Sequence, residues 1–265
     1  MRKGTSVLLP LLLGATAAWA AGAAWAAGAA EDGEAIMRAA IAQATARDEV
    51  VDVRMRLVDA SGKERQRTAT LYTKKSGRDE SMRLIRFDTP PDLAGSGILS
   101  IEQPERHADQ WLYMPAYHAS RRIASVNGSD TWMGTDFAYD DIVDPRVSEH
   151  RYRVLGEEKV DGVACTQLEA TPREPREGAY GKRIYWIDRA KNVIHRVEFY
   201  DRTGERFKTL TNDDLVVIGG YYRWRRGEMV NARKQHRTLL EFSNWRIDQG
   251  LNDRYFTVRY LERGM

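Results

Sequence analysis

Val51-Asp52-Val53-Arg54-Met55-Arg56-Leu57 alternates apolar and charged side chains one by one. Successive side chains of a strand point to opposite faces of a sheet, so a period of two describes a strand with one buried and one wet face. Asp59-Ala60-Ser61-Gly62 follows, a cluster of turn formers that folds the chain back as a hairpin. Downstream the same signature recurs at Arg67 to Thr73, Met82 to Asp88, Gly97 to Gln103 and Gln110 to Met114. It returns at Arg151 to Glu157, Cys165 to Thr171, Arg183 to Asp188 and Val193 to Tyr200, then at Phe207 to Leu210, Leu239 to Trp245 and Phe256 to Leu261. Asp161-Gly162, Lys191-Asn192 and Thr203-Gly204 mark tight turns, and Gly95-Ser96-Gly97 reads as a turn or bulge entering a strand. Roughly a dozen strands without intervening helices predict a large antiparallel meander and disfavour a parallel α/β sheet. So wide a sheet must twist and curl into a barrel, a sandwich or an open half-barrel.

Upstream of the first strand the period changes. Ile36, Met37, Ala40, Ile41 and Ala44 recur at three- and four-residue spacing behind Glu31, Asp32 and Glu34, which predicts an amphipathic helix with acids at its positive end. Before it, Arg2 and Lys3, the apolar run Val7 to Leu13 and an alanine-rich stretch have the layout of a secretory signal peptide. The small-residue rule allows cleavage after Ala20 or Ala26, and residues 1–26 are the favoured leader, followed by one domain over 27–265. The run dissolves into Gly and Ala after Leu13, short of the ~20 apolar residues of a membrane span. The only cysteine is Cys165, so an intramolecular disulfide is excluded and lipidation just after the leader is not expected, and Cys165 reads as a small buried residue. Losing Arg2 and Lys3 lowers a formal charge of only +3 by two, which gives no support to nucleic-acid binding.

The mid-chain stretch Thr131 to Val143 breaks the alternation. Trp132, Met133, Phe137, Tyr139 and Ile142 cluster there, and Thr135 or Asp136 is placed to cap a short helix starting at Phe137, which would cover one opening of the sheet. Asp136, Asp140, Asp141 and Asp144 are the densest acidic group. Calcium ligation or acid–base work on a sugar are conceivable uses; a cap at Asp136 and solvated neighbours is the reading adopted. The five histidines, His107, His118, His150, His195 and His236, lack metal-binding spacing. No nucleophile elbow, phosphate-binding loop or dinucleotide fingerprint occurs, so an enzyme is not expected, nor a cofactor. Trp111, Trp132, Trp186, Trp224 and Trp245 serve either as core or as the lining of a cavity, and the residues alone leave both open.

Four blocks resemble a known family. They are Leu84 to Gly95 (LIRFDTPPDLAG), Gln110 to Ala116 (QWLYMPA), Arg121-Arg122-Ile123, and Met133 to Ile142 (MGTDFAYDDI). In that order they are similar to an uncharacterised branch of the LolA-like outer-membrane lipoprotein-sorting proteins, met beside large lipid-exporting transporters. The resemblance implies a mainly β fold: a large curled antiparallel sheet, an incomplete or half β-barrel, covered by an N-terminal helix and a short mid-chain lid helix around a hydrophobic cavity. It implies a periplasmic carrier of a lipid or of lipoprotein acyl chains, monomeric, with an inner-membrane exporter and an outer-membrane acceptor as partners. An accessory or sensor subunit of such an exporter is the alternative. Val53, Met55, Leu57, Leu84, Leu99, Ile101, Trp111, Tyr113, Trp132, Met133 and Trp186 are the candidates for the cavity, and Phe137, Tyr139 and Ile142 for the lid. Alternation does not say which sheet face is inside. Arg121 and Arg122 read as a solvated pair or as a contact to a partner or head group.

Overall fold

In the computed structural model the described residues are 33–77, 80–104, 106–123, 130–174 and 180–263, so the expected leader, residues 1–26, lies outside them. Helix α1, residues 33–44, precedes six strands: β1 (Asp48–Val58), β2 (Glu64–Lys75), β3 (Ser81–Thr89), β4 (Gly97–Ile101), β5 (Asp109–Met114) and β6 (Ala119–Ile123). Seven more follow: β7 (His150–Val160), β8 (Val163–Pro172), β9 (Lys182–Asp188), β10 (Val193–Tyr200), β11 (Arg206–Ile218), β12 (Tyr221–Asn231) and β13 (His236–Ile247). A short helix α2 (Val258–Arg263) ends the fold. All thirteen strands form one antiparallel sheet in the order β6-β5-β4-β3-β2-β1-β13-β12-β11-β10-β9-β8-β7.

That order is two meanders joined in the middle. The first strand pairs with the last, from Glu49 opposite Ile247 to Val58 opposite Arg237, while β6 and β7 are the two edges and do not pair, so the barrel stays open. The chain therefore leaves one edge at Ile123 and re-enters at the other at His150. It has to cross the whole width of the sheet, and it does so over the inner face as a strap, residues 130–149.

Tight turns hold the register. Asp161 and Gly162 both take positive φ, 48° and 83°, the conformation that lets a two-residue turn match strand twist. At Gly97 a Cβ would lie 2.5 Å from the Ile85 carbonyl oxygen, so only glycine admits β3 that close to β4.

Three expectations need correction. The mid-chain insert is not an α-helix from Phe137 but three single 3-10 turns, Trp132–Gly134, Tyr139–Asp141 and Val147–Glu149. Thr135 accepts a 3.3 Å hydrogen bond from the Phe137 N–H, but no helix follows because the strap must stay extended to span the sheet. Phe256 to Leu261 is not a strand: it spans the end of a 3-10 turn capped by Asn252, then α2, whose Leu261 is fully buried. Finally, β6 and β12 are strands that the alternation did not announce.

Candidate functional site

Two chemistries meet on the inner face. Over β1 to β4 it is apolar: Val51, Val53, Met55, Leu57, Ala69, Ile85, Phe87 and Ile98 form one buried cluster with Trp132 and Ile142 of the strap, and Met133 and Tyr139 pack at its margin. Trp132 stacks on Phe87 with ring centroids 5.3 Å apart, yet its indole N–H is buried without a hydrogen-bond partner. Polar side chains of the sheet grip the strap's backbone beside this cluster. Arg67 donates to the Met133 carbonyl, Gln110 to the Tyr139 carbonyl at 3.1 Å, and Arg83 to the Ile142 carbonyl at 3.1 Å while pairing with Glu102 and Asp144. Burial outweighs Arg83 at Glu102 and pushes that carboxyl upward.

Toward β7 the register lines up a different row. Tyr152, Ala170, Arg183, Phe199, Lys208, Asn231 and His236 lie side by side across β7 to β13. Lys208, 3% exposed at its side chain, donates to the Asp136 carbonyl at 2.9 Å, to Asp141 at 3.2 Å and to the Tyr180 hydroxyl. Tyr180 in turn donates to Asp141 at 2.6 Å, and the Ala138 N–H does so at 2.8 Å. Asp136 meets His236 Nδ1 at 2.6 Å and accepts from Thr238 at 2.8 Å. Burial lowers the Lys208 ammonium against the pull of Asp141, and burial, then the Asp141 charge, raises the Tyr180 phenol well above its ordinary value. Asp136 and Asp141 are therefore interior latches, not the helix cap and the solvated acid that the sequence suggested. Asp144 goes to Arg83, and among the described residues no group of three or more His, Cys, Asp or Glu gathers to hold a metal ion.

Between the two regions lies a cleft of about 550 Å³, bounded by Arg38 and Ile41 of α1, the strap at Asp144 and Val147, Glu102 at the end of β4, and Arg183 on β9. None of the residues predicted for cavity or lid lines it. Of those, Val53, Met55, Leu57, Trp132, Met133, Tyr139 and Ile142 come together in the apolar cluster under the strap. Phe137 packs instead against the cluster under α1, with Ile36, Met37 and Tyr180. Leu84, Leu99, Ile101, Trp111 and Tyr113 occupy the opposite face, beneath Phe256 and Leu261 of the C-terminal segment. Trp186 is on that outer side too, with Val160, Cys165 and Ile184, its indole donating to Glu158 at 2.9 Å. Those six do not face the strap because each sits one residue out of phase with the inner set, as Leu84 beside Ile85 and Leu99 beside Ile98 show. The cationic pair divides as well: Arg122 pairs with Asp109 and Arg121 is exposed. Arg183, Lys208 and His236 were missed because a strand's inner positions are ordinarily sought among apolar residues.

The sheet is antiparallel and open, it is crossed on its inner face by a strap, and its fold is LolA-like. A family described only as uncharacterized proteins matches residues 79–263. A Vibrio parahaemolyticus domain assigned to outer membrane lipoprotein sorting is 31% identical, with a TM-score of 0.83 over 88% of this chain and 100% of that one. A DUF1329 family protein from Desulfovibrio piger is 29% identical, with a TM-score of 0.82 over 88% and 99%. A LolA superfamily protein of Nitrosomonas europaea shares the fold at 21% identity and a TM-score of 0.69, over 86% and 98%. No curated protein matches the chain. The chain belongs to the family of uncharacterized proteins that matches residues 79–263 and shares it with the Vibrio parahaemolyticus outer membrane lipoprotein-sorting domain.

Proposed function

We propose that this protein is a periplasmic carrier or chaperone that holds a lipid, or the acyl chains of a lipoprotein, against the apolar wall of Val53, Met55, Leu57, Ile85, Phe87 and Ile98, and moves it toward the outer membrane. The observation that carries this reading is the strap: the wall is covered not by another strand or by α1 but by side chains of a connecting segment, Trp132, Met133, Tyr139 and Ile142. In this conformation the wall is closed. A strap that lifts uncovers a contiguous apolar surface, and each acyl methylene buried there contributes about 0.8 kcal/mol. The strap returning to its place then expels the cargo, so loading and release are two packings of one surface. The unpartnered indole of Trp132 favours that exchange, because lifting the strap returns a buried donor to water.

Phe137 belongs to the hinge side of the strap in this reading, Tyr139 and Ile142 to the part that moves. The function is binding rather than catalysis, with export by the leader and handover between an inner-membrane exporter and an outer-membrane acceptor. Among the described residues no helix is long and apolar enough to cross a membrane. Mass spectrometry of organic extracts tests the proposal: protein purified from its native envelope retains lipid, and Arg83→Ala, which frees the strap from its grip at Ile142 and Asp144, changes the amount retained. Delipidated protein that rebinds neither a fatty acid nor an acylated peptide sinks it.

A further inference from the structure

We propose that the Arg183 end of the cleft is a subsite for an oxyanion, the phosphate group of a phosphate ester. Arg183 lines the cleft with a side chain only 12% exposed. Its neighbours across the sheet, Ala170 and Phe199, offer it no acceptor; it hydrogen-bonds the Tyr185 hydroxyl, and its guanidinium carbon lies over the Tyr180 ring, 4.5 Å from the centroid. Its nearest carboxylate, Asp141, is 3.7 Å away, and its Nε is buried without a hydrogen-bond partner. Asp141 is already shared: Lys208, Tyr180 and the Ala138 N–H all donate to it. Two buried cations thus share one carboxylate, and the rest of Arg183's surroundings are the Tyr185 and Tyr180 phenols and, more weakly, Asp140.

Three other cations around the cleft have acceptors of their own. Arg146 bonds Glu149 and the Pro104 carbonyl, Arg173 bonds Glu34 and the Ser148 carbonyl, and Lys182 bonds Glu169. At the far wall Glu102 and Asp144 are locked on Arg83, so the acids there repel an anion and leave it the Arg183 end. A buried, incompletely paired guanidinium is costly alone and favourable once an oxyanion fills its fork. The excess charge is felt at His150, also in the cleft: burial first, then Arg183 and Arg173, depress its imidazole. The subsite stands on this geometry alone; that its ligand is the head of an amphiphile whose chains lie under the strap rests on the carrier reading.

The test follows the His150 ring signals by NMR while the full chain is titrated with inorganic phosphate, dihexanoyl phosphatidic acid and, as the uncharged control, dihexanoyl glycerol. Both phosphate compounds shift the His150 signals saturably and raise its titration midpoint, and the control does not. Arg183→Lys, which keeps the charge without the fork, weakens binding about tenfold or more, and Arg183→Gln abolishes the shift. Phosphatidic acid binding far more tightly than inorganic phosphate supports both the subsite and the carrier. Equal affinity supports the subsite and counts against the carrier. No saturable shift with either phosphate compound, or an unchanged shift in a folded Arg183→Gln, overturns the subsite. If Arg183→Gln fails to fold, the wild-type titration and Arg183→Lys still decide.

Discussion

On the β1 to β4 side of the inner face the strap is held by Trp132, Met133, Tyr139 and Ile142 packed on apolar strands; on the β9 to β13 side it is held by Asp136 and Asp141 against His236, Lys208 and Tyr180. Apolar packing is non-directional and indifferent to what supplies the carbon surface. A buried ion pair demands its own partner in one position. One set of strap side chains is therefore exchangeable for an acyl chain, whereas the other set, interleaved with it along the chain, fixes where the strap returns. The comparison places the hinge on the charged side and the opening on the apolar side.

The largest effect is expected on the charged side. Asp141→Leu leaves Lys208 buried without its carboxylate, a loss of about 3–5 kcal/mol in unfolding free energy by urea titration. Asp141→Leu combined with Lys208→Met recovers most of it, though the Ala138 N–H and the Tyr180 hydroxyl still lack their acceptor. A loss under about 1 kcal/mol for the single variant means that the charged row is not a latch.

Trp132→Ala on the apolar side comes second. Truncating a buried aromatic costs about 3–5 kcal/mol, and here the loss of an unpartnered donor returns about 1 kcal/mol. The distinguishing readout is hydrogen exchange: Trp132→Ala speeds opening of residues 130–142 more than of β9 to β11, and Asp141→Leu affects both. Uniform acceleration by Trp132→Ala breaks the division proposed above.

What the sequence disclosed follows the same line. The apolar half was legible because β1 writes its inner face as Val51, Val53, Met55 and Leu57, all buried. The charged half was not. β12 buries Arg223, Gly227, Met229 and Asn231, so its period of two is present in burial but absent in hydrophobicity, and no apolar alternation marks it. The strap acids were misplaced for the same reason: Asp136 looks like a helix cap and Asp141 like a solvated neighbour until His236 and Lys208, residues far along the chain, are brought against them. The cavity candidates that proved to face outward, Leu84, Leu99, Ile101, Trp111, Tyr113 and Trp186, were apolar on strands buried on both faces, where composition carries no phase.

A smaller effect belongs to the polar grip on the strap. Gln110→Leu leaves the Tyr139 carbonyl without its 3.1 Å donor and Ser100 without its partner, a loss of about 1 kcal/mol. Because Gln110 grips only the opening half, fatty-acid uptake should become faster with little change in the urea midpoint.

The smallest effect reads the end of the strap through pH. His150 Nδ1 sits 3.0 Å from the Arg146 carbonyl, and burial depresses its imidazole below the ordinary 6.5. Between that depressed value and 6.5 the unfolded chain binds a proton that the folded chain does not, so stability falls as pH drops through this window and is fully present above it. His195, also depressed by burial but removed from the strap, adds a second contribution of the same sign. His150→Phe and His195→Phe each remove part of the slope measured by urea titration on either side of 6.5. Of the two, only His150→Phe should also remove the acid sensitivity of hydrogen exchange at the strap's Val147–Glu149 turn, because His150 bonds the strap at Arg146 and His195 does not touch it; equal effects of the two variants there mean that the imidazole senses burial alone and plays no part in holding the strap.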